Sequence, residues 1–199
     1  MESCKPCPTP CKPHTQLLKD EGVPLPDPKL FRSLVGALQY LTFTRPDIAF
    51  VVNYACQFMA TPTDEHFQLV KRILRYLQGT MSYGLTYSDA EHMRITTFSD
   101  ADWAFDINTR RSTTGYVVFL GQNPISWQSK KQGGVSRSST EAEYKALVNT
   151  AADIAWVRLI LNDLKVYLPD PPLLYCDNIS TLALCSNPVF DRRIFMQLS

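Results

Sequence analysis

The feature that most constrains this chain is a change of hydrophobic period near residue 83. Before it, apolar residues recur at helical spacing. Ile48, Val52, Ala55 and Met59 fall at i, i+4, i+7 and i+11, one face of a helix whose first turn suits Pro46 and Asp47. Thr61-Pro62-Thr63 interrupts the pattern, and Thr63 or Asp64 can cap the next helix. There Phe67, Val70, Leu74 and Leu77 form the expected apolar face, with Lys71, Arg72 and Arg75 opposite and Gly79 as the stop. After residue 83 the period is two. Leu85–Tyr87, Ile95–Phe98, Gly115–Leu120 and Ile125–Gln128 read as strands, and Gly121-Gln122-Asn123-Pro124 as the turn of a hairpin joining the last two. A long helix then runs from about Ser138 to Leu164, its buried face traced by Leu147, Ala151, Ile154, Leu161 and Leu164. Pro169, Pro171 and Pro172 end it; a short strand at Leu173–Cys176 and a helix from about Ile179 to Cys185 follow. The expected fold class is α/β, a mixed sheet with one long helix, preceded by an α-helical segment.

Composition narrows the function classes. The 199 residues suit one domain, or one domain with an appendage, and 45% hydrophobic content is enough for a core. The net charge of +1 means that a nucleic-acid partner would be held by a local basic patch, not by bulk charge. No run approaches the ~18 apolar residues of a membrane span. The first residues, Met-Glu-Ser-Cys-Lys-Pro-Cys, contain no apolar signal core. Cys4, Cys7, Cys11, Cys56, Cys176 and Cys185 are too unevenly placed for a disulfide scaffold and read as reduced thiols of an intracellular chain.

Three segments follow from these patterns. Residues 1–28 are a Pro-rich arm, residues 29–80 a helical segment, and residues 83–199 the α/β domain. The arm carries Cys4-x2-Cys7-x3-Cys11-x2-His14, four zinc-type ligands whose central spacing is too short for a zinc knuckle. Incidental cysteines in a linker are the simpler reading.

Three acids fall at telling places. Asp100 ends a strand, Glu141 lies in the first turn of the long helix, and Asp177 lies just past the next strand. Strand ends and a helix N-terminus of an α/β sheet can meet at one point. Three carboxylates there would make an oxygen-rich site for Mg²⁺ or Mn²⁺. Two such ions about 3.5–4 Å apart would activate water against a phosphodiester. Asp102, two residues along the same strand face, is a weaker ligand candidate. Each acid also has a structural reading. Aspartates end strands in turns, Ser138-x-x-Glu141 fits a capping box, and Asp177-Asn178 fits a turn plus N-cap.

These segments closely resemble a known family. Ser99-Asp100-Ala101-Asp102-Trp103-Ala104, Arg110-Arg111-Ser112-Thr113-Thr114-Gly115-Tyr116, Ser138-Ser139-Thr140-Glu141-Ala142-Glu143-Tyr144 and Tyr175-Cys176-Asp177-Asn178 resemble the ribonuclease H domain of copia-type retrotransposon Pol polyproteins. Phe31 to Leu41, Thr44-Arg45-Pro46-Asp47-Ile48 and Arg72 to Thr80 resemble the end of the reverse transcriptase in the same polyproteins. The resemblance implies a ribonuclease H-like fold and an endonuclease that cuts the RNA strand of RNA–DNA hybrids with magnesium or manganese. Asp100, Glu141 and Asp177 match three of the family's four catalytic acids. Hybrid recognition would use groove shape, phosphates and 2′-hydroxyls, with Arg110, Arg111, Lys130, Lys131 and Arg137 as candidate phosphate contacts. Trp103 and Trp127 are expected to pack rather than to stack on bases.

The departures from the family also carry meaning. The polymerase Tyr-x-Asp-Asp motif is absent, which excludes polymerase activity, and Phe105 stands where the family usually has glycine. The sequence runs Asp191-Arg192-Arg193-Ile194-Phe195-Met196-Gln197-Leu198-Ser199 where the family continues to a fourth acid. The expected domain is therefore truncated, with an unpaired sheet edge that favours self-association. Three readings stay open: an active or relic hybrid nuclease of the cytoplasm or nucleus, a non-catalytic nucleic-acid- or protein-binding remnant, and a secreted oomycete effector acting in plant host cells. The last rests on Arg72-Ile73-Leu74-Arg75, a match to the Arg-x-Leu-Arg string that helix amphipathicity already explains.

Overall fold

The computed structural model describes residues 4–13, 16–89 and 92–186; His14 and Asp191 to Ser199 lie outside the described residues. The chain divides into two compact units, Met1–Leu85 with Asp106–Thr109, and Thr86–Phe105 with Arg110–Ser199.

The first unit is helical: α1 (Lys29–Leu41), a 3-10 turn at Pro46–Ile48, α2 (Ala49–Cys56) and α3 (Asp64–Gly79). Phe31, Val35 and Leu38 bury one face of α1, and Ile48, Val52 and Ala55 pack inward as their spacing requires. The apolar face of α3 differs from the expected one. Its buried residues are His66, Leu69, Val70, Ile73 and Tyr76, while Phe67, Leu74 and Leu77 are half-buried. The Pro-rich segment lies against α3 and bonds its basic residues. Cys7 N–H donates to Arg75 O (3.3 Å), Arg75 Nε to Lys5 O (2.7 Å), and Arg72 Nη2 to Thr9 Oγ1 (2.8 Å). The expected basic stripe is therefore partly spent on binding the arm. Thr63 caps α3 in a capping box: its N–H donates to His66 Nδ1 (3.0 Å), which leaves the proton on Nε2 to bond Leu18 O (3.1 Å).

The second unit is an α/β layer pair. Strands β1 (Ile95–Asp102), β2 (Thr113–Leu120), β3 (Asn123–Lys131) and β4 (Leu173–Tyr175) form one sheet in the order β3-β2-β1-β4. The first three are antiparallel, and β4 is parallel to β1. Helix α4 (Ser139–Asp163) covers one face, and α5 (Ile179–Cys185) follows β4. Alternation along β1 turns Ile95, Thr97, Ser99 and Ala101 inward. Ile95, Tyr116 and Val118 pack with Ile154 and Val157 of α4 as the main core.

Two expectations change here. Leu85–Tyr87 is not a strand: the segment after it is held by turn side chains, Ser88 N–H donating to Asn123 Oδ1 (3.0 Å) and Asn123 Nδ2 to Ser88 O (2.7 Å). The buried stripe of α4 is Ala142, Glu143, Ala146, Leu147, Thr150, Ile154 and Val157; Leu161 continues it, half-buried against the same core, whereas Leu164 is 67% exposed. Pro124 is accommodated because β3 is an edge strand and its register shifts between Val118 and Phe119. No helix among the described residues is long and apolar enough to cross a membrane.

Candidate metal centre of the sheet unit

The site lies at the carboxyl ends of the two parallel strands. The pairing of β1 with β4 ends at Phe98 and Tyr175, and β1 runs on to Asp102. Into the space past that last pair, β1 brings Asp100, the segment after β4 brings Cys176 and Asp177, and α4 brings Glu143. One ligand atom from each of Glu143, Cys176 and Asp177 lies within 4.8 Å of the others. Asp100 is close enough to share a hydrogen bond with Glu143.

Glu143 is 6% exposed and tightly held. Its Oε1 accepts the Ala101 N–H (3.2 Å), and Cys176 Sγ lies 4.0 Å from its Oε2. The helix approaches β1 closely because the contact is made of small residues: Ala142 and Ala146 are fully buried against Ala101. Burial pushes the Glu143 carboxyl up to about 7, and the charges of Asp100 and Asp177 and the hydrogen bond with Asp100 push the same way; the Ala101 bond opposes them. Burial also raises the Cys176 thiol, as do Glu143 and Asp177, so it stays protonated at neutral pH.

The structure brings Asp100 and Asp177 together with Glu143, whereas Glu141, the third acid of the expected triad, lies apart from them. Glu141 faces solvent, bonded through Oε1 to Lys145 Nζ (2.8 Å) and through Oε2 to Arg137 N–H (2.7 Å). Ser138 Oγ accepts the Glu141 N–H (3.1 Å), so this glutamate belongs to the helix cap. The lysine and the Arg137 amide hold its carboxyl below the usual range. The reason is angular: two residues along a helix is a turn of about 200°. Glu143 lies on the buried face and Glu141 does not. Asp102 is not in the cluster either; its Oδ1 accepts the Thr113 N–H and closes the end of the β1–β2 ladder. Asn178 caps α5 by accepting the Thr181 N–H (3.0 Å) beside Asp177.

The cation candidates surround the same end of the sheet. Arg110 and Arg111 precede β2, Lys130 and Lys131 end β3, and Arg137 precedes α4. Asp100 pairs with Gly115 and Gly115 with Ser129, which puts Ser129 about 10 Å from Asp100, two strand spacings away; Lys130 is the next residue and shares the face of Ala101 through Thr114. Trp103 does not pack away as expected: it is 52% exposed, with Nε1 donating to Ser136 O (3.1 Å). Cys4, Cys7 and Cys11 form no ligand cluster among the described residues.

No family model matches the chain, and no solved structure matches it. Curated proteins do. The retrovirus-related Pol polyprotein from transposon RE1 of Arabidopsis thaliana is 49% identical over 194 residues, 98% of this chain and 13% of that protein. The corresponding polyprotein from transposon RE2 is 47% identical over the same shares. The secreted RxLR effector protein 161 of Plasmopara viticola is 46% identical over 128 residues, 64% of this chain and 90% of that one. The chain thus spans about an eighth of the length of the polyproteins it matches. It belongs to the family of retrovirus-related Pol polyproteins of copia-type transposons.

Proposed function

We infer that the second unit is a ribonuclease H-like domain whose Asp100, Glu143 and Asp177 hold divalent metal for hydrolysis of the RNA strand of RNA–DNA hybrids. The sheet order β3-β2-β1-β4, with three antiparallel strands and a parallel fourth, supports that fold. The observation that carries the reading is the concentration of uncompensated acid. Asp100, Glu143 and Asp177 come together from three elements with no cation among their described partners, and the buried member is driven to about 7. Charge arranged this way destabilises the bare fold, and a bound cation relieves it. The donors fit Mg²⁺ or Mn²⁺: they are carboxylate oxygens, and the neighbouring Cys176 is a neutral thiol. When bound, such ions supply an activated water and stabilise the leaving oxygen of a phosphodiester.

The chain's own residues do the rest. Ala101 N–H fixes one oxygen of Glu143 and so its orientation. Glu143 gives up its proton to solvent near neutral pH, so the site becomes ready for a cation as pH rises through about 7. Lys130, Lys131, Arg110, Arg111 and Arg137 would take phosphates of the hybrid, which is recognised by shape and 2′-hydroxyls. The helical first unit would be the tail of the reverse transcriptase of the same polyprotein.

The test is cleavage of a labelled RNA–DNA hybrid by the purified chain with Mg²⁺ or Mn²⁺, and with chelator. Metal-dependent cutting that disappears in an Asp100→Asn, Asp177→Asn variant supports the reading; a folded chain that leaves the hybrid intact overturns it.

A second reading, an effector acting in plant cells, is favoured by the likeness to the Plasmopara viticola protein. The Arg72-Ile73-Leu74-Arg75 string itself does not support it. Ile73 is fully buried in α3, and both arginines are bonded to the Pro-rich segment, so the string has a structural explanation.

A further inference from the structure

We propose that Gln132 is a positioning residue for Glu143, an inference that rests on the nuclease reading of the site. Gln132 follows β3 directly and is 6% exposed. A buried primary amide costs free energy unless each of its polar atoms is bonded, and every one of them is. Its Nε2 donates to Thr114 Oγ1 on β2 (3.1 Å) and to Ala142 O in α4 (2.9 Å). Its Oε1 accepts from Ser136 Oγ (3.1 Å), and its backbone N–H donates to Ser112 O (2.8 Å). One side chain therefore ties the sheet, the loop after β3 and the start of α4 to each other.

The point of attachment gives the amide its role. Ala142 immediately precedes Glu143, and its side chain is fully buried with Ala146 against Ala101. Ala101 in turn donates its N–H to Glu143. Gln132 to Ala142, Ala142 to Glu143 and Glu143 to Ala101 make a chain of contacts that ends beside Asp100. The first turns of a helix are where fraying starts, and here one such turn carries the buried acid. Gln132 pins that turn from the side of the sheet. Ser136 braces the amide: its Oγ also accepts from Lys145 Nζ (3.1 Å), and its carbonyl accepts from Trp103 Nε1 (3.1 Å). The other buried polar bond between α4 and β1, Thr150 Oγ1 to Ser99 Oγ (3.2 Å), lies two turns further on, where it supports packing but touches no site residue.

That second bond supplies the control. Gln132→Met keeps the volume and removes the amide; Thr150→Val removes the packing bond. The full chain would be measured for thermal stability, for Mn²⁺ affinity from the paramagnetic resonance of the free ion, and for hydrogen exchange at the Ala101 amide. Removing a group bonded directly to a metal ligand typically costs 10–100-fold in affinity; Gln132 acts one residue further out, so Gln132→Met is expected to weaken Mn²⁺ binding several-fold, up to ~10-fold, and to speed Ala101 exchange. Thr150→Val is expected to lower stability and leave both readouts at the wild-type value. Ser136→Ala, a milder lesion of the same network, is expected to move both readouts in the direction of Gln132→Met, and it decides the matter where Gln132→Met does not fold. Wild-type Mn²⁺ affinity and Ala101 exchange in the glutamine or serine variant would overturn the proposal, as would equal losses in Thr150→Val. A wild-type chain that binds no Mn²⁺ defeats the metal reading instead, and Ala101 exchange then still decides whether Gln132 positions Glu143.

Discussion

The two units bury ionised groups in opposite ways. In the helical unit Arg45, 6% exposed, forms a two-pronged pair with Asp47 (2.9 and 2.7 Å) and bonds Thr80 O (2.9 Å) and Thr80 Oγ1 (2.8 Å). Tyr76 OH donates to Asp47 (2.7 Å). Burial works against the Asp47 charge, but the bonds from Arg45 and Tyr76 outweigh it and hold this carboxyl below the usual range. In the sheet unit Glu143 is buried among Asp100, Cys176 and Asp177, its described partners being an amide, a thiol and a second carboxyl but no cation, and its carboxyl rises. One arrangement neutralises itself and supports the fold. The other leaves charge for something else to neutralise. Perturbation by burial is common to both; the sign of the neighbours separates a brace from a binding site.

The largest effect expected from breaking this contrast is in the helical unit. Asp47→Ala strands a buried guanidinium, and the first unit should lose ~2–3 kcal/mol in chemical denaturation, less than for a fully buried pair because Asp47 is partly exposed. The opposite substitution logic applies to the sheet. Glu143→Gln removes a carboxyl that the bare fold disfavours, so at pH 8 without metal the second unit should gain ~1–2 kcal/mol while losing metal binding.

The pH dependence sharpens the comparison. The Glu143 carboxyl is raised from 4.5 to about 7, so the folded state holds its proton more tightly than the unfolded state. Its contribution is full below about 4.5 and is lost as pH rises through about 7. His66 shifts the other way. Burial lowers its pKa below 6.5, against the pull of the Leu18 carbonyl and of Glu21, Glu65 and Asp64. Its contribution is full above 6.5 and is lost as pH falls. Melting of the metal-free chain from pH 5 to pH 8 should therefore show the helical unit gaining and the sheet unit losing stability. Mg²⁺ should restore the sheet unit at the alkaline end. The smallest effect belongs to Glu141→Gln, which removes an exposed i,i+4 pair and should leave melting nearly unchanged.

From Ile95 on, much of the sheet unit was legible in the sequence, because period two, a turn, period 3.6 and a proline fence follow one another; only Leu85–Tyr87 mimicked a strand. Asp100 and Asp177 were legible as acids at strand ends. Glu143 was missed because Glu141 stood at the capping position after Ser138, where an acid attracts attention for its own reason. The signal was present: stepping back one turn from the predicted core residue Leu147 reaches Glu143, whereas Glu141 lies about 120° round the helix from that leucine. The shifted face of α3 was not legible, since period alone does not tell which side of a helix an arm of prolines will cover. The apolar face of α4 was over-read only at its end: Leu161 packs against the core, while Leu164 keeps the period but is 67% exposed.

The most direct test of the account compares hybrid cleavage by Glu143→Gln and Glu141→Gln, two residues apart on one helix, in saturating Mg²⁺. The account predicts that Glu143→Gln loses more than ~100-fold, beyond the loss from an outer-shell partner, and that Glu141→Gln cuts at nearly the wild-type rate. Loss of cleavage in Glu141→Gln with retention in Glu143→Gln would contradict it.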